Sequence, residues 1–199
     1  MRKKLPIGIQ TFADFQAENY AYVDKTPLIA RLVDEGRYYF LARPRRFGKS
    51  LLVDTLAEAF AGHRERFAGL YLEQHWDWGR VCPVVRIDLG GGVLRQPEVL
   101  DATLRDQLQK HYEQFGVIRK QDEIHLAFAH LIKAMHHQVG ERVVILIDEY
   151  DKPILDNLGQ PDLARAMREG LRNFYSVIKG QDAHLRFVLL TGVSKFSKV

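Results

Sequence analysis

The chain of 199 residues carries 29 basic and 25 acidic side chains, a formal net charge of +4, and 46% hydrophobic residues. This composition indicates one substantial hydrophobic core and excludes disordered, collagen-like and low-complexity proteins. The longest apolar runs, such as residues 143–147, are far shorter than the roughly 18 residues that span a bilayer. Polar residues follow the basic start where a signal peptide would have its apolar segment. We therefore expect one large cytoplasmic domain with no membrane partner.

The positive charge is concentrated in the first quarter of the chain. Residues 1–50 contain 10 basic and 5 acidic side chains, whereas residues 51–199 contain 19 and 20. The densest basic group is Arg43, Arg45, Arg46 and Lys49. Such a group indicates a polyanionic partner, which could be a nucleoside triphosphate or a nucleic acid.

Apolar periodicity and turn residues divide the chain into alternating helices and strands. The predicted helices cover residues 26–36, 50–62, 97–115, 122–138 and 161–179, and the predicted strands cover residues 38–42, 84–89, 143–147 and 185–190. The strands are short apolar runs, which are typical of strands buried on both faces of a sheet. Strands separated by helices require parallel crossovers, so we predict an α/β fold with a mostly parallel sheet. We interpret residues 1–37 as a lead-in segment and residues 38–199 as the core domain.

Residues 43–50 read Arg-Pro-Arg-Arg-Phe-Gly-Lys-Ser, which matches the phosphate-loop pattern G-x-x-x-x-G-K-[ST] except at its first position. The segment lies between a predicted strand and a predicted helix, which is the context that the pattern requires. Gly48 allows the main chain to close on a phosphate, Lys49 reaches the β and γ phosphates, and Ser50 offers its hydroxyl to Mg²⁺. We predict a nucleotide-binding set of Arg45, Arg46, Phe47, Gly48, Lys49, Ser50 and Leu51.

Arg43 replaces the first glycine of the pattern and precedes Pro44. A residue before proline is disfavoured in helical conformations, so we expect an extended entry into the loop. The arginines of this loop could contact phosphate or a neighbouring subunit. Alternatively, they form a solvated basic rim without a specific partner.

Asp148 and Glu149 follow the most apolar predicted strand, where α/β sheets place their active-site groups. An aspartate at this position can hold the hydration shell of Mg²⁺ opposite Ser50, and an adjacent glutamate can deprotonate an attacking water. This pair is typical of ATP hydrolases and unusual in metabolite kinases. The alternative interpretation is an acidic cap on the end of a strand. We predict Asp148 as a metal residue and Glu149 as a catalytic residue.

Thr191 follows the last predicted strand, with Ser194 close behind. In hydrolases of this kind a polar residue after this strand senses the γ-phosphate and positions water. We predict Thr191 as the third catalytic residue beside Lys49 and Glu149, with Ser194 as the second choice. A hydroxyl after a strand is also ordinary turn chemistry.

Four segments of the sequence together resemble a known family. They read Tyr-Val-Asp-Lys-Thr over residues 22–26, Phe-Leu-Ala-Arg-Pro-Arg-Arg-Phe-Gly-Lys-Ser over 40–50, Ile-Asp-Glu-Tyr-Asp-Lys-Pro over 147–153 and Leu-Thr-Gly-Val-Ser-Lys-Phe over 190–196. They resemble the AAA-ATPase-like family of bacterial and archaeal proteins, essentially from end to end. The distinctive form of the phosphate loop makes Arg43 a trait of that family.

The resemblance implies a P-loop NTPase three-layer sandwich with an additional strand and the sheet order 5-1-4-3-2. It also implies ATP as the nucleotide, and a restriction-endonuclease-like nuclease domain after this core in longer members. Only four strands are accounted for, so we expect the fifth beyond Val199 and interpret the chain as truncated. The loop strand would then be an open sheet edge, available for pairing in a homo-oligomer. A nucleic-acid partner would act through the absent nuclease domain.

Several other residues are weaker candidates. The resemblance suggests that Asp24 and Lys25 lie near the base or ribose, although a surface ion pair that contributes little is favoured. Arg168 and Arg172 could act as an arginine finger across a subunit interface, or lie on a solvated helix face. A cluster of histidines invites a metal site, but no acids or cysteines accompany it and a polar helix face is favoured. The histidines are His125, His130, His136 and His137.

Three functions are compatible with these features. The leading hypothesis is an ATP-binding module with Mg²⁺-dependent hydrolysis that regulates a partner or a missing nuclease domain. The second is a nucleotide switch that binds but does not hydrolyse. The third is a nucleic-acid-binding fragment that uses the arginines of residues 43–46, and it predicts binding that weakens steeply with salt.

Overall fold

A computed structural model of the chain describes residues 3–195. The helices are α1 (Phe12–Ala17), α2 (Thr26–Glu35), α3 (Lys49–Phe60), α4 (Pro97–Gln114), α5 (Ile124–Val139), α6 (Lys152–Leu155) and α7 (Pro161–Gly180). The strands are β1 (Tyr38–Ala42), β2 (Val84–Asp88), β3 (Val143–Asp148) and β4 (Leu185–Gly192). None of the helices in this part of the chain is long and apolar enough to cross a membrane.

The four strands form one parallel sheet in the order β1-β4-β3-β2. This confirms the predicted α/β fold, and the order agrees with the last four positions of the expected 5-1-4-3-2 arrangement. The expected fifth strand lies outside the described residues. Because the strands are parallel, their carboxyl ends all meet at one edge of the sheet.

The central strand β3 shows why the sheet is covered on both faces. All six of its residues are buried. Val143, Ile145 and Ile147 pack in one hydrophobic cluster with α4, α5 and α7. Val144 and Leu146 pack in a second cluster with α1, α2 and α3. A strand enclosed by helices on both faces needs apolar side chains at every position, which is the pattern seen in the sequence.

The residues before β1 pack against the helix that follows the phosphate loop. Phe12 and Ile29 share a hydrophobic cluster with α3. The N–H of Phe12 donates to Asp54 Oδ2 on α3 at 2.6 Å, and the Arg86 guanidinium of β2 pairs with the other oxygen of Asp54. A buried carboxylate bonded in this way links α1, α3 and β2. The domain boundary at residue 37 stays a prediction.

The two edges of the sheet differ. At the β2 edge, the amide of Gln107 accepts a hydrogen bond from Asp88 N–H and donates one to Asp88 O, both at 2.7 Å. His111, one turn later on α4, contacts the carbonyl oxygen of Arg86 at 2.8 Å. These side chains bond main-chain groups of β2 that could otherwise pair with another strand. At the β1 edge no strand pairs within residues 3–195, and pairing there stays a prediction.

The structure adds elements that the sequence patterns do not predict. Helices α1 and α6 have six and four residues, so neither is long enough to display helical periodicity. Strand β4 continues two residues beyond its predicted end, because Thr191 and Gly192 pair in register with Leu41 and Ala42 of β1. This extension matters for the site, because it places Thr191 inside the sheet.

Candidate nucleotide site

The segment that joins β1 to α3 has the conformation of a tight, exposed loop. Arg46 and Gly48 both have positive φ angles, 65° and 76°. A Cβ on Gly48 would meet nothing within 4 Å, so glycine is needed there for its dihedral angles and not for space. The side chains from Arg43 to Phe47 are exposed. The loop therefore presents its main chain to solvent directly before the N-terminus of α3.

Lys49 lies at the centre of this loop. Its side chain is buried, with a residue exposure of 5%. The ammonium group donates to Arg43 O at 3.0 Å and to Pro44 O at 3.1 Å. The loop thus wraps around the ammonium group, which is held on the main chain of its first two residues.

The donors of the loop fit a polyphosphate. No described residue accepts a hydrogen bond from the main-chain N–H groups of residues 45–51, and none bonds the Ser50 hydroxyl. The first N–H groups of a helix have no partner within the helix and form a ready anion site. A triphosphate would supply the missing acceptors. This set contains every residue predicted to bind nucleotide.

The arginines at this loop divide into two kinds. The N–H of Arg43 donates to Gly192 O at 3.1 Å, so Arg43 continues the pairing of β1 with β4 and the entry is extended, as Pro44 requires. The side chains of Arg43, Arg45 and Arg46 form no hydrogen bond or ion pair with other described residues. They are available to an anion or to a partner.

Asp148 and Thr191 form a buried pair at the carboxyl ends of β3 and β4. Asp148 is 2% exposed and Thr191 is fully buried. The Thr191 hydroxyl donates to Asp148 Oδ1, which also accepts from the Glu149 N–H at 3.1 Å. Asp148 is therefore fixed through one oxygen, and its other oxygen, Oδ2, has no donor among the described residues.

Glu149 has a strained main chain, with φ of 51°. Non-glycine residues adopt positive φ infrequently, and such positions often belong to functional sites. Its carboxylate lies against Gly90, where a Cβ would come within 3.3 Å of Glu149 Oε2. The unusual dihedral thus directs the carboxylate toward the end of β2.

The pKa of Glu149 is raised above its ordinary value. Partial burial is the largest cause, and the neighbouring carboxylate of Asp148 acts in the same direction. The positive charges of Lys49 and Arg45 lower this pKa, and the carboxylate of Asp88 raises it. All of these charges lie close enough to affect one carboxyl group. The fold therefore brings the phosphate loop and the acidic pair to one site.

Asp88 and Gly90 are site residues that the sequence analysis missed. Asp88 ends β2 and is in register with Asp148 on β3. Its Oδ1 accepts from the Gly90 N–H at 2.7 Å and would lie 2.9 Å from a Cβ on Gly90. The available signal was an aspartate at a strand end followed by three glycines, the same position that Asp148 occupies on its own strand.

Asp151 is a third residue that the sequence analysis missed, and it binds the main chain of Ser194. Asp151 is 1% exposed, and its Oδ2 accepts from the N–H groups of Val193 and Ser194 at 2.9 and 2.6 Å. A Cβ on Gly192 would come within 2.6 Å of Asp151 Oδ1. Asp151 thus anchors the segment after β4 to the segment after β3.

The weaker candidates lie in ordinary structural settings. Asp24 accepts hydrogen bonds from the Thr26 N–H, the Thr26 hydroxyl and the Tyr71 N–H, so it links the start of α2 to the short helix Tyr71–Glu73. Arg172 is exposed on α7. His136 Nδ1 lies 2.8 Å from His184 Nδ1. Within residues 3–195, no group of three or more histidine, cysteine or acidic side chains is arranged to hold a metal ion.

Comparison with known proteins identifies the family. Residues 6–199 match the family described as "Predicted AAA-ATPase". The chain belongs to this family. It is also 55% identical over 199 residues to "Uncharacterized protein in vnfD 5'region" of Azotobacter chroococcum mcd 1, covering 100% of this chain and 39% of that protein. The chain of this predicted AAA-ATPase thus spans about two fifths of the length of its curated relative. No solved structure matches it.

Family membership confirms the resemblance drawn from the sequence. The nuclease domain expected in longer members stays a prediction, because the match concerns residues 6–199 and the relative is uncharacterized. Nucleotide binding is the activity that the family description suggests. The catalytic and metal roles of individual residues stay predictions.

Proposed function

We propose that this predicted AAA-ATPase binds ATP together with Mg²⁺ and hydrolyses it to ADP and phosphate. One observation carries the proposal: strand β4 lies between β1 and β3 and joins the phosphate loop to the acidic pair. Its Gly192 bonds Arg43 at the start of the loop, and its Thr191 bonds Asp148. The preference for ATP over other nucleotides rests on the family alone.

The binding step uses the free donors of the loop. The N–H groups of residues 45–51 and the Lys49 ammonium would hold the β and γ phosphates. Ser50 and Asp148 would hold Mg²⁺, which would neutralise charge on the phosphate oxygens. Ser50 and Asp148 offer few oxygen ligands. This suits Mg²⁺, which usually keeps several water ligands and is also coordinated by phosphate oxygens.

The hydrolytic step assigns Glu149 as the general base. Its carboxylate accepts a proton from a water molecule while the water oxygen forms a bond to the γ-phosphorus. The bond between that phosphorus and the bridging oxygen breaks, and ADP leaves with the electron pair. A raised pKa makes Glu149 a better proton acceptor than an ordinary glutamate.

The sequence analysis predicts that Thr191 senses the γ-phosphate directly, but in this proposal Thr191 has a different role. Its hydroxyl is buried and donates to Asp148, so it orients the aspartate and thereby the metal ion. The Glu149 N–H lies 3.4 Å from the same hydroxyl oxygen. Thr191 therefore connects the Asp148 side chain and the Glu149 main chain to β4.

Phosphate release tests the proposal. The wild-type chain should release phosphate from ATP with Mg²⁺, and Glu149→Gln should reduce kcat by about 10²- to 10⁴-fold, which is the range for loss of a general base. ATP affinity should be retained. The matched control is Glu169→Gln on the exposed surface of α7, which should leave kcat unchanged.

Two results would contradict hydrolysis by Glu149. If ATP binds but the wild type releases no phosphate, the chain is a nucleotide switch without hydrolysis. If Glu149→Gln releases phosphate at the wild-type rate, another group activates the water.

A further inference from the structure

The loop between β2 and α4 lies directly against the Glu149 carboxylate. We call residues 90–94 the glycine loop. At its near end, a Cβ on Gly90 would lie 2.9 Å from Asp88 Oδ1 and 3.3 Å from Glu149 Oε2. Both carboxylate oxygens therefore lie close to the Gly90 main chain. Any displacement of this main chain changes the surroundings of Glu149.

The far end of the glycine loop is held by side chains on and after α6. The Lys152 ammonium donates to Gly92 O at 2.6 Å and also pairs with Asp156. Asp156 in turn accepts from the Leu94 N–H at 3.3 Å, and the Asn157 amide donates to Leu94 O at 2.7 Å. Lys152 and Asp156 are 14% and 16% exposed at their side chains, so this ion pair is shielded from water.

The glycine loop has little else to hold it. Among the described residues, the hydrogen bond from Lys152 is the only one made by the main chain from Gly91 to Val93. Consecutive glycines have wide conformational freedom, and Val93 is 59% exposed. Without an external tie, this segment would sample many conformations. Lys152 supplies that tie.

Lys152 is also joined to Glu149 through the main chain. Its N–H donates to Glu149 O at 3.0 Å, which closes the turn between β3 and α6. Lys152 therefore makes two contacts. Its N–H bonds the main chain of Glu149, and its ammonium bonds the glycine loop that lies against the Glu149 carboxylate.

We propose that Lys152 is a positioning residue for Glu149, because it holds the glycine loop against the glutamate carboxylate. This inference rests on the proposed hydrolysis by Glu149. Lys152 itself touches neither nucleotide nor water in this proposal. It acts through the position of Gly90 and Gly92.

The test replaces the ammonium while keeping a chain of similar length. Lys152→Met should lower kcat about tenfold or more, because small displacements of a catalytic group have large effects on rate. The Kd for ATP with Mg²⁺ should change less than about threefold, because the phosphate loop is untouched. A fall in kcat at a nearly constant Kd, measured well below the unfolding temperature, is the signature of a positioning role.

The matched control is Lys110→Met. Lys110 pairs with Asp106 four residues away, as Lys152 pairs with Asp156, but both members of the Lys110 pair are exposed. This variant should change neither kcat nor the Kd for ATP. A purely structural lysine would lower the thermal stability of the chain without lowering the kcat of the folded protein.

A second variant covers the case in which Lys152→Met does not fold. Asp156→Asn keeps an oxygen acceptor and removes the charge that holds Lys152, so it should lower kcat in the same direction by a smaller factor. The inference is overturned alone if the wild type releases phosphate and either folded variant keeps the wild-type kcat. If the wild type binds ATP and releases no phosphate, the proposed hydrolysis fails and this inference fails with it.

Discussion

The two halves of the candidate site are built in opposite ways. The binding half, residues 43–51, consists of an exposed loop and the first residues of α3, and its N–H groups from residue 45 onward have no acceptor among the described residues. The acidic half, formed by Asp148, Glu149 and Thr191, is mostly buried and held by hydrogen bonds between its own members. Only Lys49 in the binding half is deeply buried.

The contrast follows from what each half has to do. A phosphate-binding loop needs unpaired donors facing solvent, because the ligand itself is to satisfy them. Groups that handle a proton and a metal ion need fixed positions before the ligand arrives, because reorganisation during the reaction is costly. We therefore expect changes in the binding half to affect affinity, and changes in the acidic half to affect stability and turnover.

The largest expected effect on stability is in the acidic half. Thr191→Val keeps the shape of the side chain and removes the hydroxyl bonded to Asp148. Loss of a buried hydrogen bond of this kind should lower the free energy of unfolding by roughly 1–3 kcal/mol. Chemical denaturation measures it.

Thr103→Val on α4 is the control, because its hydroxyl only bonds Val99 O one turn earlier in a partly exposed position. Its effect should be much smaller. Equal losses in the two variants would show that Thr191 is no more than an ordinary helix or strand hydroxyl.

Gly48→Ala tests the binding half. Gly48 and Gly69 have the same φ of 76°, and a Cβ on either would meet nothing within 4 Å. Both alanine variants should therefore be destabilised by a similar amount, on the order of 1 kcal/mol. Only Gly48→Ala should also weaken the binding of ATP with Mg²⁺, which calorimetry measures. An equal loss of affinity in Gly69→Ala would contradict a specific role for the loop.

Asp88→Asn is expected to have the smallest effect on turnover. It tests how a neighbouring charge changes the pKa of Glu149 in the acidic half. Its carboxylate raises the pKa of Glu149. A general base must be unprotonated, so kcat falls as pH decreases through this pKa. Removing the charge of Asp88 lowers the pKa, and the acidic limb of the kcat–pH profile should move to lower pH.

An asparagine can still accept the hydrogen bond from Gly90, so the loop geometry should survive in this variant. Asp101→Asn on the exposed face of α4 is the control and should leave the limb in place. A limb that moves to higher pH in Asp88→Asn would contradict the proposed arrangement of charges.

The sequence predicted the fold well where the signal was local. Residues 143–147 are all apolar, so a strand buried on both faces was the direct expectation, and the structure confirms it. The phosphate loop was predicted because its residues are consecutive and lie between a strand and a helix. Such features require no knowledge of which strands are neighbours.

The missed residues all depend on distant contacts. Asp88 becomes part of the site only because β2 pairs with β3 in the register that aligns it with Asp148. Asp54 on α3 bonds residues 42 positions earlier and 32 positions later in the chain. Lys152 reaches Gly92 from 60 residues away. Pairings of this kind are set by the packing of the whole fold, and no local pattern encodes them.

Calorimetric titration of the wild-type chain and of Lys49→Ala with ATP and Mg²⁺ tests the central claim most directly. The account predicts saturable binding by the wild type and its loss in Lys49→Ala, with Lys110→Met binding as the wild type does. Binding of equal affinity in Lys49→Ala, or no binding to the folded wild type at millimolar ATP, would contradict a nucleotide site at this loop.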